Sequence, residues 1–600
     1  MTRNAAPVTT TSTHSYTLNK GDGQAQKLSI ISALKRLAPL LRDENRTVAL
    51  AFVAMLATNG AGLLGPVIIA RAVDRYIQGG DFQGVLASAG VLLGIYLAGL
   101  IASYYQTLAM GTVGRAVLFN LRNALFTRLQ ALPLAFFNQN KAGDLISRIN
   151  NDTDKLNQFF AQALVQLTGN LVMMTGAGIF LLSLNIRLGL TALVPAAGVL
   201  MFTQLASGWV KSRNLKSLQS LGGMSAEITE SLGAFKVILA FNRLDYFRQK
   251  FEGANERNYS ASLASGIANG VFMPIYGLAM NLAQLIVLAY GLYMVGAGEL
   301  TIGLLIGFLL YVNNFYFPLR QLGMLWSSFQ LALAALDRIS EVLGLESNMP
   351  ILPAAQATAP SGALLKFDKV HFGYPGGREV LHEVSFTLEP GKTYALVGPT
   401  GGGKTTTASL MARLYDPTAG VVLLKGKDIR SFAPEERTRS VGFILQEPFL
   451  FTGTIRDNVL YGNEQYRHYS DEQLIALLNE RNVGGLLSRF EQGLQTKVTS
   501  AGDAISLGQK QLIAFIRAVL RDPELLILDE ATANIDTVTE QQLEQILSKL
   551  PPTTTKVVIA HRLNTIANAD EIFFINSGEV TPAGSMQHAL DMLLHGKRVS

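Results

Sequence analysis

Six stretches free of Asp, Glu, Lys and Arg fall within the first 320 residues of this 600-residue chain, at 47–70, 83–114, 156–186, 188–210, 258–298 and 300–319. A helix needs about 20 apolar residues to cross the hydrocarbon core of a bilayer, so each stretch is long enough to span. No comparable stretch follows residue 343. Buried helices of a soluble protein can be apolar too, but six uncharged runs in succession define a membrane-spanning half. Composition agrees, with 49% hydrophobic and only 16% charged residues, where a soluble domain carries roughly 25% charged.

The basic residues orient the spans. Arg115, Arg122, Arg128, Lys141, Arg148 and Lys155 lie between spans two and three, and Lys211, Arg213, Lys216, Lys236, Arg243, Arg248, Lys250 and Arg257 between spans four and five. The positive-inside rule puts both segments in the cytoplasm. Little more than Arg187 separates spans three and four, and little more than Glu299 separates five and six, so these are tight external hairpins. The cytoplasmic segments are helical in pattern, which predicts stalks that extend the spans beyond the membrane, with turns at their tips near 137–144 and 231–236.

The first 26 or 27 residues are rich in Thr, Ser, Asn and Gly, and read as a disordered cytoplasmic tail rather than a signal peptide. Leu28, Ile31, Leu34 and Leu37 then recur at helical spacing among Lys27, Lys35, Arg36, Arg42 and Arg46, which suits an amphipathic helix on an anionic membrane surface. The net charge of +6 fits that surface. The basic residues form no aromatic-interleaved patch, so nucleic acid is not the expected partner. The sequence contains no cysteine, which excludes disulfides, thiolate metal sites and thiol nucleophiles.

The domain boundaries read as a tail at 1–27, a six-span domain at 28–343, a Pro- and Ala-rich linker at 344–363 and an α/β domain at 364–600. In the last of these, the apolar run 394–397 precedes Gly398, Pro399, Thr400, Gly401, Gly402, Gly403, Lys404, Thr405 and Thr406, matching the phosphate-loop pattern G-x-x-x-x-G-K-[ST]. The glycines free backbone N–H groups to cradle phosphates at a helix N-terminus, Lys404 reaches the outer phosphates, and the Thr405 hydroxyl suits Mg²⁺. The apolar run 525–528 ends in Asp529 and Glu530. Asp529 suits the Mg²⁺ shell and Glu530 the polarisation of an attacking water. Together the two sites specify a phosphate-loop NTPase.

Ile505, Ser506, Leu507, Gly508 and Gln509, about twenty residues before Asp529, resemble the L-S-G-G-Q signature of ATP-binding cassette proteins. The remaining motifs resemble that family too. Tyr374 stands where the family stacks an aromatic on adenine, and Gln446 matches the loop that senses Mg²⁺ and contacts the membrane domain. Asp536 matches the loop that communicates across the dimer, and His561 the histidine that contacts the γ-phosphate. Phe136 and Phe137, Gly143 through Arg148 with Asp152, and Glu230, Gly233 and Lys236 look like the two intracellular coupling regions of fused exporter half-transporters.

The resemblance covers roughly residues 28–600 and implies an exporter-type six-helix membrane domain fused to an α/β ATPase. It also implies ATP and Mg²⁺ as ligands, a plasma-membrane location with a cytoplasmic ATPase domain, and a second half-transporter as partner. In the family, Ser506, Gly508 and Gln509 would serve the ATP held by that partner. Leu507 stands where the signature has its first glycine, so the two sites of a dimer would differ, which favours a heterodimer over a homodimer.

Asn59, Gln166, Asn170, Gln204, Asn281, Gln284, Asn313 and Asn314 lie within spans, where interhelical hydrogen bonding is the default role and lining of a substrate path the alternative. No acidic or basic residue lies mid-span, which argues against a proton relay or an embedded ion site. The expectation is ATP-driven export of hydrophobic or amphipathic cargo such as drugs, lipids or peptides. A fused importer of metal chelates and an ATP-gated regulator remain as alternatives.

Overall fold

The computed structural model describes residues 16–18, 38–353, 362–499, 505–529, 537–559 and 568–595. Six of the described helices are long and apolar enough to span: Arg42–Ile77, Phe82–Gln130, Ala142–Leu184, Ile186–Gly233, Leu244–Gly296 and Ile302–Gly344. The shortest has 36 residues and the longest 53, or roughly 54–80 Å at 1.5 Å per residue. A bilayer core is about 30 Å thick, so each helix runs past it as a stalk. Only 6% of the most apolar window of the second helix is buried. Its Leu, Val and Tyr side chains therefore present a surface that lipid or another chain must cover.

Local chemistry sets the breaks. The helix from Phe82 stops at Gln130, and Pro133 caps a short helix, Leu134–Gln139, before Asn140 returns to extended backbone. Proline disfavours helical geometry in the residue before it, so this tip begins a few residues earlier than 137–144. The second tip is another short helix, Phe235–Ala240. On the opposite side, Asn185 separates two spans, and its side chain accepts from the Leu188 backbone N–H at 3.1 Å, an N-cap that turns the chain in one residue.

Asp74 performs the same service between distant elements, accepting from the Thr301 hydroxyl at 2.5 Å and the Gly303 N–H at 2.7 Å. A Cβ at Gly303 would lie 2.2 Å from the Ala70 carbonyl, so glycine is required for this approach. Among the polar span residues, Gln284 donates to Asn313 at 3.0 Å and Asn314 to the Gly62 carbonyl at 3.2 Å. These are interhelical bonds, the default expected for amides in lipid.

The C-terminal half is α/β. Its six-stranded sheet runs, in spatial order, Glu579–Pro582, Glu571–Asn576, Thr393–Val397, Thr555–Ile559, Leu525–Asp529 and Val441–Ile444. All neighbours are parallel except the Glu579–Pro582 edge. Every residue of Leu525–Asp529 is buried, as an interior parallel strand covered on both faces requires. An antiparallel four-stranded sheet, built on Leu365–Gly373 and Glu379–Leu388, completes the fold.

The described residues form two compact units. One joins Gly344 onward with Tyr16–Leu18 and Leu129–Asp144, and the other holds the remaining span residues. Tyr16 is 2% exposed and Leu18 5%. This part of the expected disordered tail is therefore packed; the rest of 1–27, and the amphipathic segment at 28–37, lie outside the described residues.

Candidate nucleotide site

The phosphate loop joins the strand Thr393–Val397 to the helix Lys404–Met411. Gly398 has φ +149° and Gly403 φ +115°, backbone that side chains rarely tolerate. A Cβ on Gly398 would lie 1.9 Å from the Ile575 carbonyl, so the loop is pressed against the neighbouring strand as well. Lys404, 6% exposed, donates to the carbonyls of Gly398 at 2.9 Å and Pro399 at 3.0 Å. The Thr407 hydroxyl closes the first turn by donating to the Gly403 carbonyl at 2.9 Å.

The sheet brings the second motif to the same edge. Ile559, at the end of the central strand, pairs with Asp529, and Ile444 pairs with Leu528 one strand further. Gln446 therefore leaves the sheet beside Asp529, and it is exposed. The Thr405 hydroxyl lies 3.4 Å from the Asp529 carboxylate, which is 4% exposed. A hydroxyl and a buried carboxylate converging at a helix N-terminus form an oxygen donor set that fits Mg²⁺.

Tyr374 stands at the end of the Leu365–Gly373 strand, with its hydroxyl 3.0 Å from the Thr406 hydroxyl. Tyr415 meets its ring edge-on at a centroid distance of 5.2 Å. The short helix Leu134–Gln139 reaches Tyr415 and the residue after Tyr374. Asn138 donates to the Tyr415 hydroxyl at 2.6 Å, and Gln139 to the Pro375 carbonyl at 3.2 Å. Burial raises the Tyr415 hydroxyl above its ordinary pKa, against the lowering effect of the Asn138 hydrogen bond, so it stays protonated and neutral at physiological pH.

The signature helix runs Leu507–Val519, and Ser506 caps it: the Gln509 N–H donates to the Ser506 hydroxyl at 3.2 Å, and the Ser506 N–H to the Gln509 side chain at 3.0 Å. This capping box fixes the helix start and leaves Leu507 37% exposed. Glu530, Asp536 and His561 lie outside the described residues.

Sequence reasoning missed Tyr415, Asn138 and Gln139 as neighbours of the site. Tyr415 carries no local signal separating it from an ordinary core tyrosine. Asn138 and Gln139 sit next to Phe136 and Phe137, which had marked a coupling region, but their partners lie 277 and 236 residues away.

Comparison with known proteins agrees with this arrangement. Residues 48–319 match the ABC transporter transmembrane region and residues 381–533 match ABC transporter. A multidrug resistance ABC transporter ATP-binding and permease protein of Lactococcus lactis subsp. cremoris is 30% identical over 533 residues, covering 87% of this chain and 89% of that protein. A fatty acid ABC transporter ATP-binding/permease protein of Mycobacterium bovis is 30% identical over 508 residues, covering 85% and 80%. Among solved structures, a bacterial Atm1-family ABC exporter with ATP bound superposes with a TM-score of 0.76 at 26% identity, covering 93% of this chain and 97% of that one. The chain belongs to the ABC transporter family, in its exporter form with membrane and ATPase regions fused, and is an ATPase coupled to transport.

Proposed function

We propose that this chain is one half of a dimeric exporter in the plasma membrane, with its ATPase domain in the cytoplasm, and that it moves hydrophobic or amphipathic molecules outward. The observation that carries this is the convergence of Lys404, Thr405 and Asp529 in a chain that also holds six spans. The uncharged spans and the multidrug and fatty acid relatives support apolar cargo.

In this reading the backbone from Gly398 to Gly403 cradles the phosphates, and Lys404 and Thr406 hold them. Tyr374 stacks on adenine. Thr405, Asp529 and Gln446 would hold Mg²⁺, whose charge offsets that of the phosphates. Glu530 polarises the attacking water and His561 contacts the γ-phosphate. Ser506, Gly508 and Gln509 face the ATP of the second half, and Asp536 relays between the two sites. ATP binding closes the paired ATPase domains and turns the cavity outward, and hydrolysis resets it.

The second half is a different chain. Leu507 replaces the glycine of the signature with a bulky exposed side chain, altering the surface offered to the partner's ATP while this chain's own phosphate loop is intact. Substrate-stimulated ATPase activity tests the transport reading. Stimulation by amphipathic compounds supports it, and an ATPase indifferent to every such compound and moving none of them favours the ATP-gated regulator.

A further inference from the structure

Chain termini are poorly ordered unless something ties them down. Tyr16–Leu18 is tied down at five points. The Tyr16 hydroxyl donates to the Glu346 carbonyl at 3.1 Å and accepts from the Asn348 N–H at 2.8 Å. Its backbone N–H donates to the Gln139 side-chain oxygen at 2.7 Å. Asn140 reads the same backbone with both ends of its amide, donating to the Tyr16 carbonyl at 2.8 Å and accepting from the Leu18 N–H at 3.0 Å. The Tyr16 ring meets Phe136 edge-on, 6.4 Å between centroids, and Phe136 is fully buried.

Three of these partners, Phe136, Gln139 and Asn140, belong to the short helix Leu134–Gln139 or to the residue after it. Gln139 is used from both ends. Its oxygen accepts from Tyr16 and its nitrogen donates to the carbonyl of Pro375, the residue after Tyr374. An N–H on one side and a C=O on the other fix the amide orientation, so the strap sets the arm that holds the Tyr374 turn. Asn138, one residue earlier, holds Tyr415 against the same tyrosine.

We propose that Tyr16–Leu18 is a positioning strap for ATP capture. It clamps the Leu134–Gln139 helix to the chain at 346–348, and through Gln139 and Asn138 it keeps the Tyr374 ring in place for adenine. Tyr16 touches no reacting atom, so it acts through Gln139. The strap also makes part of the N-terminal tail a requirement for efficient nucleotide binding. The proposal rests on the adenine-stacking role of Tyr374.

The test compares steady-state ATPase kinetics of the full-length transporter in lipid nanodiscs. The variants are Tyr16→Ala, Tyr16→Phe, which keeps the ring and loses only the hydroxyl bonds, Gln139→Ala alone and combined with Tyr16→Ala, and Tyr374→Ala as reference. Loss of positioning removes binding that ground and transition states share, so the KM for ATP rises while kcat holds. Tyr16→Ala is expected to raise KM about fivefold, the scale of one or two neutral hydrogen bonds, with Tyr16→Phe intermediate. In the Tyr16→Ala, Gln139→Ala double variant the KM increments should not add, because both act on one arm.

A Tyr16→Phe protein with unchanged KM, beside a Tyr374→Ala protein whose KM rises, overturns the strap. The same holds if Tyr16→Ala lowers kcat in proportion to folded protein and leaves KM alone. If Tyr374→Ala itself leaves KM unchanged, the stacking role fails and the route through Gln139 fails with it, so the variant that is silent identifies which reading is wrong.

Discussion

The Arg148 guanidinium donates to the Glu341 carboxylate at 2.8 Å from a position where Arg148 is only 1% exposed. It also donates to the Arg338 carbonyl at 2.7 Å, while the Arg338 guanidinium pairs with Asp152 at 3.2 Å. Arg148 and Asp152 are two of the charged residues of the first coupling motif, and both bind near the C-terminal end of the sixth long helix, Ile302–Gly344. They tie two long helices together beside buried apolar residues such as Leu145, Leu156, Leu336 and Ile339.

Removing one partner of such a buried pair leaves a charge uncompensated, which is far costlier than the pair itself is worth. Arg148→Ala is therefore expected to destabilise the membrane half by about 3–5 kcal/mol, seen as a lower unfolding temperature in detergent. Glu341→Gln leaves the buried Arg148 guanidinium with neutral acceptors only, so it should also destabilise, by a loss of the same order. An unchanged unfolding temperature for either variant would contradict the network as described.

Gly398→Ala should abolish nucleotide binding. The new methyl would lie 1.9 Å from the Ile575 carbonyl, and φ +149° is unfavourable for alanine. Gly401→Ala shares the positive φ but meets no atom within 4 Å, so it should bind ATP more weakly than wild type yet better than Gly398→Ala. Binding of a fluorescent ATP analogue ranks the three proteins.

Lys404→Ala and Tyr374→Ala should separate outer-phosphate from adenine recognition. Loss of the ammonium should weaken ATP binding by at least about tenfold, the scale of one charged hydrogen bond. Tyr374→Ala should raise the KM for ATP with maximal rate within about twofold, as loss of uniform binding does. Tyr374→Phe keeps the ring, loses only the contact with Thr406 and should remain near wild type. A large fall in maximal rate for Tyr374→Ala at saturating ATP would assign the tyrosine to the chemistry instead.

Leu507 bears on the partner. Purified alone, the chain should hydrolyse ATP at less than about a tenth of the rate reached with its second half, since two copies of this chain would place the altered signature at both sites and weaken transition-state stabilisation at each. Robust activity of the lone chain, unaltered by Leu507→Gly, would establish a homodimer.

Much of this was legible in sequence because local physics determined it. Span length follows from bilayer thickness, and the phosphate loop and the capped signature helix are set by residues within a few positions of one another. The capping box between Ser506 and Gln509 could be read from spacing alone. What could not be read depends on long-range closure. Asn138 meets Tyr415, and Tyr16 meets Asn348, only after the chain has folded. A tail of Thr, Ser and Asn has the composition of disorder, and Tyr16 escapes it because its ring, its hydroxyl and its backbone all find partners far along the chain.

The central claim is that hydrolysis at this site drives apolar cargo across the membrane. It is tested most directly by ATP-dependent accumulation of a fluorescent amphiphile in inside-out proteoliposomes containing the transporter with its partner half. The wild-type protein is expected to accumulate the dye, and Glu530→Gln to bind ATP normally while accumulating almost none, because an amide cannot polarise water as a carboxylate does. Accumulation by Glu530→Gln at the wild-type rate, or none by either protein while ATP is hydrolysed, would contradict the account.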